Sequence, residues 1–399
     1  MSKSMTSILS FLLLYPLVSD AELNQETHAE AEERAIPGLM KKRSIKHDPN
    51  NIFKLNQLAS TPDIKAITFS INNHQESVGE YLFKTGTKGF IVLHCDNIIY
   101  EHYALFNSKK TLYPGWSITK TFTSAAVGSL VYEKIISSEL EPIDKYASVL
   151  IGSAYEGVTF QQALRQSSAV KASELLDMPS MTLYLNTPGN GWESYLLTKS
   201  KMPDYEPGTV FNYTEIDPAV VAVGIREASG YPLAEYLQEK IWKVVGMESD
   251  ADYQTDNEGK EAGGSGLKAT LRDYARFGLL YANNGTLNGQ QIFPTDWVKK
   301  STEVTYYSKG RLNFNRVEKW GYGYYWWPSL DEKNDFFITG LFGQFIYVDP
   351  DSKIVIARTG FYVGEALPYS GGTYIDSVLS VSRAISNIVS AQMGHCALD

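Results

Sequence analysis

The chain has 399 residues, 43% of them hydrophobic and 20% charged, with a formal net charge of −9. This is ordinary globular composition, with ample apolar material for a large core. An acidic balance argues against a nucleic-acid binder, which carries a basic face.

The first 21 residues read as a secretory signal peptide. Lys3 gives a positive start, Ile8 to Val18 is a short apolar run, and Ser19-Asp20-Ala21 offers small residues where a signal peptidase cuts. A membrane span needs about 20 apolar residues, and Pro16 interrupts even this run, so a cleaved signal is expected over an uncleaved anchor. No later segment is long and apolar enough to span a bilayer. The expected location is therefore periplasmic or secreted. Residues 22–60 are rich in Glu, then in Lys and Arg (Lys41-Lys42-Arg43), and read as a solvated linker or mobile arm.

Strand patterns begin with Ile64 to Ile71, and a hairpin follows in which Gly89 to His94 and Ile98 to Leu105 flank a turn at Asp96-Asn97. From Ser117 to Leu130 the pattern turns helical, with small and apolar residues on nearly every face, the mark of a buried helix. The stretch from about 140 to 300 is mostly helical and loop-rich, with helices at Ala219 to Glu227, Leu233 to Val244 and Leu271 to Ala282. Strands return at Tyr322 to Trp327, Asp335 to Thr339, Phe345 to Val348 and Lys353 to Arg358, and a last helix covers Thr373 to Gln392. This order predicts an α/β (α+β) domain over residues 61–393, with a short tail at 394–399. One antiparallel sheet comes from both chain ends, helices flank it, and a mostly helical lobe is inserted at about 140–300. Cys95 and Cys396 either close one disulfide over a very long loop or remain buried thiols.

Several familiar sites are absent from the sequence. No histidine pair has metal-site spacing, there is no phosphate loop, and Gly115-Trp116-Ser117-Ile118-Thr119 fails the last position of the Gly-x-Ser-x-Gly elbow. What stands out is Ser117-x-x-Lys120 opening the buried helix. Residues three apart share a helix face, so hydroxyl and amine can meet. A serine needs a base to become a nucleophile, and a lysine in an apolar site loses its charge more readily. The helix N-terminus also aims N–H groups at an oxyanion forming on a substrate.

Around this pair the sequence resembles the penicillin-recognising serine hydrolases, the β-lactamase-related and penicillin-binding-protein-like family. It is closest in motif to the nylon-oligomer (6-aminohexanoate-dimer) hydrolases and class C β-lactamase-like esterases. The stretch Trp116-Ser117-Ile118-Thr119-Lys120-Thr121-Phe122-Thr123-Ser124 is similar to the family's active-site helix. Further matches come in the family's order: Glu206 to Tyr213, the glycine-rich Gly263 to Gly278, Gly321 to Trp327, and Thr339 to Pro350. The resemblance spans roughly residues 65 to 393.

The resemblance implies a β-lactamase-like fold and a hydrolase that cleaves a small-molecule or short peptide amide or ester. It implies Ser117 as nucleophile, Lys120 and Tyr213 as the proton-transfer unit, and the backbone N–H groups of Ser117 and Leu341 as the oxyanion hole. Glu215, Thr339, Gly340 and Trp326 are substrate-binding candidates, the last because strand alternation can turn it to the cleft. No metal and no organic cofactor is implied, and the oligomeric state is left open. Two departures stand out: Tyr213-Thr214-Glu215 where the family often reads Tyr-x-Asn, and Ile338-Thr339-Gly340 where it reads Lys-Thr-Gly or His-Thr-Gly. Two other outcomes fit the motifs: a carboxylesterase that handles amides poorly, and a binding domain that keeps the pocket without turnover.

Overall fold

The computed structural model describes residues 41–71, 74–313, 320–331, 333–361, 373–394 and 396. The expected signal peptide and residues 22–40 of the expected arm lie outside the described residues, as does most of the tail.

The N-terminal part supplies β1 (Lys41–Ile45), β2 (Thr87–His94), β3 (Asn97–Tyr103) and β4 (Leu112–Pro114). It then enters helix α1 (Ile118–Tyr132). The middle contributes α2 (Glu174–Asn186), α3 (Trp192–Leu197), α4 (Ile216–Ser229), β5 (Ala251–Thr255), β6 (Leu267–Thr270) and α5 (Leu271–Ala282). The C-terminal part adds β7 (Trp327–Pro328), β8 (Phe336–Gly340), β9 (Gln344–Asp349), β10 (Ile354–Gly360) and α6 (Thr373–Met393).

The main sheet runs β7-β8-β9-β10-β2-β3, with Asn56–Gln57 beside β3, so both chain ends build it as expected. Pairing is antiparallel except at that last short contact. The run Phe90-Ile91-Val92-Leu93 is apolar without alternation because both faces of β2 are covered. One face carries α5, and Gly278 allows it: a Cβ there would lie 2.4 Å from Val355 and 3.1 Å from Ile346. The other face carries α6. Ser386 of that helix donates to Asp349 at 2.5 Å, and Asp349 and Ile346, three apart on β9, point to opposite faces. Helix α1 lies over α5, with Phe122 stacked on Phe277 at 3.7 Å, and its residues from Ile118 to Leu130 are all buried. Among the described residues no helix is long and apolar enough to cross a membrane.

The sequence expectations need three corrections. First, the segment read as a solvated arm contains β1, which opens a second sheet ordered β1-β5-β6-β4. Lys41 pairs with Thr255 and Ile45 with Ala251, and Arg43 reaches Glu235 at 2.7 Å and the buried Glu261 at 2.9 Å. Only Ile45 of the five is buried, so ladder bonds and ion pairs hold the strand, and they leave no apolar period to read. Second, the stretch from 140 to 300 is not wholly a helical lobe: β5 and β6 belong to the second sheet, and α5 packs on the main one. Third, Tyr322 to Trp327 is not a strand. The described pairing is limited to Trp327 and Pro328, Tyr325 has a φ of +66°, and a Cβ on Gly323 would strike the Ser301 carbonyl oxygen at 2.0 Å.

Cys95, in the β2–β3 turn, is disulfide-bonded to Cys396, with Cα atoms 6.0 Å apart, so the end of the chain is tied to the edge of the main sheet. A second tie lies between the loop at Gln166–Val170 and α4. Ser168 donates to Asp217 through its hydroxyl at 2.6 Å and its backbone N–H at 3.3 Å. Burial pushes the Asp217 carboxyl up to about 7, against the lowering effect of the Ser168 bonds. In the unfolded chain this carboxyl ionises near 3.8, so between that value and about 7 the folded state binds the extra proton. Its contribution is full below about pH 4 and is lost as pH rises through about 7, up to roughly 4 kcal/mol. Thermal melts at pH 4.5, 6 and 8 should therefore show a falling stability that Asp217→Asn flattens; parallel wild-type and variant curves would exclude a proton held at Asp217.

Candidate active site

Helix α1 begins beneath a sharp turn. β4 ends at Pro114, Gly115 N–H donates to the Leu267 carbonyl at 2.8 Å, and Trp116 takes a φ of +49°. Gly115 is needed there, because a Cβ would lie 2.7 Å from the Tyr274 hydroxyl. Ser117 follows in helical geometry at the N-cap, half-buried, with the orphan N–H end of the helix around it.

One turn on, Lys120 is fully buried. Its Nζ donates to Ser117 Oγ at 3.1 Å and to the Gly264 carbonyl at 3.2 Å, and forms a very short ion pair with Glu215 Oε1. The ammonium also stands 4.9 Å from the centre of the Tyr213 ring. Glu215 is in reach because Gly264 has no side chain: a Cβ there would fall 2.2 Å from Glu215 Oε2. That second carboxylate oxygen is buried and has no hydrogen-bond partner among the described residues. The glycine turn is itself pinned to α1, with Thr123 donating to the Gly263 carbonyl at 2.6 Å.

Tyr213 is buried just before α4. Its ring stacks on Trp327 at 6.2 Å and meets the Tyr322 ring edge-on at 6.1 Å. Burial pushes the hydroxyls of Tyr322 and Tyr325 well up, so both stay protonated at neutral pH.

The other wall is the end of β8. Gly340 abuts the turn before the serine, since a Cβ there would lie 2.4 Å from the Gly115 carbonyl oxygen. Leu341–Gly343 then forms a tight turn, with Phe342 at a φ of +61° and its ring 5.2 Å from that of Trp116. The turn is braced from behind. Gln344 donates to the Leu341 carbonyl at 3.0 Å, and the buried Arg358 donates to the Gly343 carbonyl and to Thr87 Oγ1 at 2.9 Å. Thr339 is partly exposed beside it.

The structure thus brings together Ser117, Lys120, Tyr213 and Glu215, with Gly340 and Phe342, which flank Leu341, against the turn before Ser117. It does not bring Trp326 there. That side chain is fully buried between Tyr281, at 4.6 Å, and Phe336, at 5.1 Å, so it belongs to the core. The chain turns at Tyr325 and breaks the alternation that would have aimed it at the cleft. Sequence reasoning also missed a cavity beside Glu215 lined by Ala172, Ser173, Asp177, Met181 and Tyr195. It missed Gln166 and Asn313, which hold the backbone around Tyr213. A polar residue in a loop carries no periodic signal, and nothing in the sequence sets these apart.

The fold has relatives among known proteins. The chain is 22% identical over 320 residues to the 6-aminohexanoate-dimer hydrolase of Paenarthrobacter ureafaciens, covering 77% of this chain and 81% of that protein. A solved structure from Bacillus anthracis, provisionally assigned as a 6-aminohexanoate-dimer hydrolase, superposes with a TM-score of 0.75 at 25% identity, covering 92% of this chain and 94% of that one. A family VIII carboxylesterase shares the fold at a TM-score of 0.57 and 15% identity, over 76% of this chain and 95% of that one. The Beta-lactamase family model matches residues 82–359, the span that carries the serine turn, the glycine turn and the β8 wall, and the chain belongs to that family.

Proposed function

We propose that this family member is an exported serine hydrolase that cleaves an amide or ester bond of a small molecule or short peptide through an acyl-enzyme on Ser117. The observation that carries the reading is the fully buried Lys120, whose Nζ lies 3.1 Å from Ser117 Oγ at the start of a buried helix. Ser117 attacks the substrate carbonyl while its proton passes to the Lys120–Tyr213 unit, which accepts it with Lys120 in the neutral amine form, and the carbonyl oxygen becomes an oxyanion held by the N–H groups of Ser117 and Leu341. The same unit returns the proton to the leaving alcohol or amine as the tetrahedral intermediate collapses. Water then attacks the acyl group by the reverse proton route and frees Ser117. The relatives named for 6-aminohexanoate-dimer hydrolysis support an amide as substrate, and the carboxylesterase neighbour supports an ester. Export to an oxidising compartment is part of the reading and is supported by the Cys95–Cys396 bond.

Replacing the nucleophile should remove the chemistry and leave the fold. Ser117→Ala is expected to lose several powers of ten in kcat/KM on every ester and amide while still unfolding in one cooperative transition. Turnover retained in that variant would rule out the acyl-serine route.

Glu215 sits where it opposes proton loss from Lys120, because a carboxylate favours the ammonium form. Glu215→Gln should move the acidic limb of the pH–rate profile to lower pH by roughly one unit or more. A profile that stays in place would mean that the pair does not control the reacting proton.

Ile338 is fully buried on β8 opposite Ile346 and offers no cation to a substrate carboxylate. A charge-assisted hydrogen bond of that kind is worth about 1.5–3 kcal/mol, or ten- to a hundredfold in binding. A chromogenic cephalosporin should therefore be turned over at least about tenfold less efficiently than a short-chain nitrophenyl ester; comparable kcat/KM values would contradict this.

A further inference from the structure

We infer that Asn313 and Gln166 are positioning residues that set the Tyr213 side chain for proton delivery, an inference that rests on the role proposed for Tyr213 above. The segment Asn212-Tyr213-Thr214 has no ladder of its own. Its three backbone N–H groups nevertheless each have an acceptor. Asn212 N–H donates to the Gln166 carbonyl at 2.8 Å, Tyr213 N–H to Asn313 Oδ1 at 2.9 Å, and Thr214 N–H to Gln166 Oε1 at 2.8 Å.

The carbonyls of Tyr213 and Thr214 are held by the same two side chains. Asn313 Nδ2 donates to the Tyr213 carbonyl at 2.9 Å, and Gln166 Nε2 to the Thr214 carbonyl at 3.0 Å. Each amide therefore closes a two-bond ring on one residue's own N–H and C=O, as a neighbouring strand does in an antiparallel hydrogen-bonded pair. Successive residues of an extended chain present these groups to opposite sides, and the two amides accordingly serve successive residues, Tyr213 and Thr214. The clamp fits only an extended backbone, so it fixes the direction in which the Tyr213 side chain leaves the chain.

Only an amide can do this. It offers a donor and an acceptor together, whereas an ionised carboxylate of the same shape only accepts. Asn313 uses its second amide proton on Asn212 Oδ1 at 3.2 Å, and Asn212 Nδ2 donates to the Ala172 carbonyl at 3.0 Å, on the wall of the cavity beside Glu215. Gln166 is fully buried and holds a φ of +54°, a conformation that a side-chain-bearing residue adopts at a cost. A glycine would relieve that cost and lose the clamp.

The test separates positioning from mere stability through the leaving group. Two esters with the same acyl part are compared by kcat/KM. The nitrophenolate of one leaves without a proton, and the ethoxide of the other must receive one. Asn313→Asp and Gln166→Glu are measured beside wild type and Tyr213→Phe. Rates are normalised to the sites that a fluorophosphonate labels, so unfolded protein does not count. Tyr213→Phe should depress the ethyl ester far more than the nitrophenyl ester. Asn313→Asp and Gln166→Glu should reproduce that selective loss at about tenfold or more, as expected for a misplaced proton donor. Equal loss on both esters, or none, with the split intact in Tyr213→Phe, overturns the inference alone. No split in Tyr213→Phe overturns the role of Tyr213 and the inference with it. Asn313→Ala, which removes both bonds of its clamp, should show at least the loss of Asn313→Asp, and a smaller one also counts against the inference.

Discussion

Burying a lysine ammonium is expensive, and the arrangement around Lys120 follows from that cost. An ion of this size loses several kcal/mol of hydration when it leaves water, and only close, well-directed oxygen partners restore it. Among the described residues Lys120 is met by the Glu215 carboxylate, the Gly264 carbonyl and Ser117 Oγ. Two of them come from segments 95 and 144 residues away in the chain, so the ion pair holds the lobe, the glycine turn and α1 in one register. The last of these is the proposed nucleophile. The same desolvation that makes the pair costly to break makes the proton between Lys120 and Ser117 responsive to its neighbours.

The surroundings divide into two walls with different builders. The main sheet supplies the Leu341 turn, and its backbone is fixed by Gln344 and the buried Arg358, which joins the start of β2 to that turn. The lobe supplies Tyr213, Glu215 and the cavity, joined to α1 through the Gly263–Gly264 turn. Donors fixed before the substrate arrives stabilise developing charge without reorganising at the moment of reaction. Glycines recur at the junctions because main chains there approach closer than a Cβ allows, at Gly115, Gly264 and Gly340.

Much of this was legible in the sequence, and what was not has a common cause. The apolar runs of β2, β9 and β10 and the all-round burial of α1 follow from hydrophobic period alone, and the sheet from both chain ends follows from their order. The proximity of Ser117 to Lys120 follows from helix geometry. The failures are polar or irregular. The strand β1 is held by ladder bonds and Arg43, with one buried side chain. Trp326 is turned into the core by a single left-handed residue, Tyr325, which no alternation rule anticipates. Glu215 was visible as a departure from the usual Tyr-x-Asn, and its contact with Lys120 depends on the missing side chain at Gly264, nearly fifty residues later.

The central claim is a covalent acyl group on Ser117, and trapping it is the most direct test. The protein is mixed with a slowly hydrolysed aryl ester, quenched in acid within the first turnover and weighed by intact mass spectrometry, and the modified peptide is then sequenced. The account predicts a mass increase equal to one acyl group, located on Ser117 and absent after full turnover. Steady hydrolysis with no acylated species, or an acyl group on another residue, would contradict it.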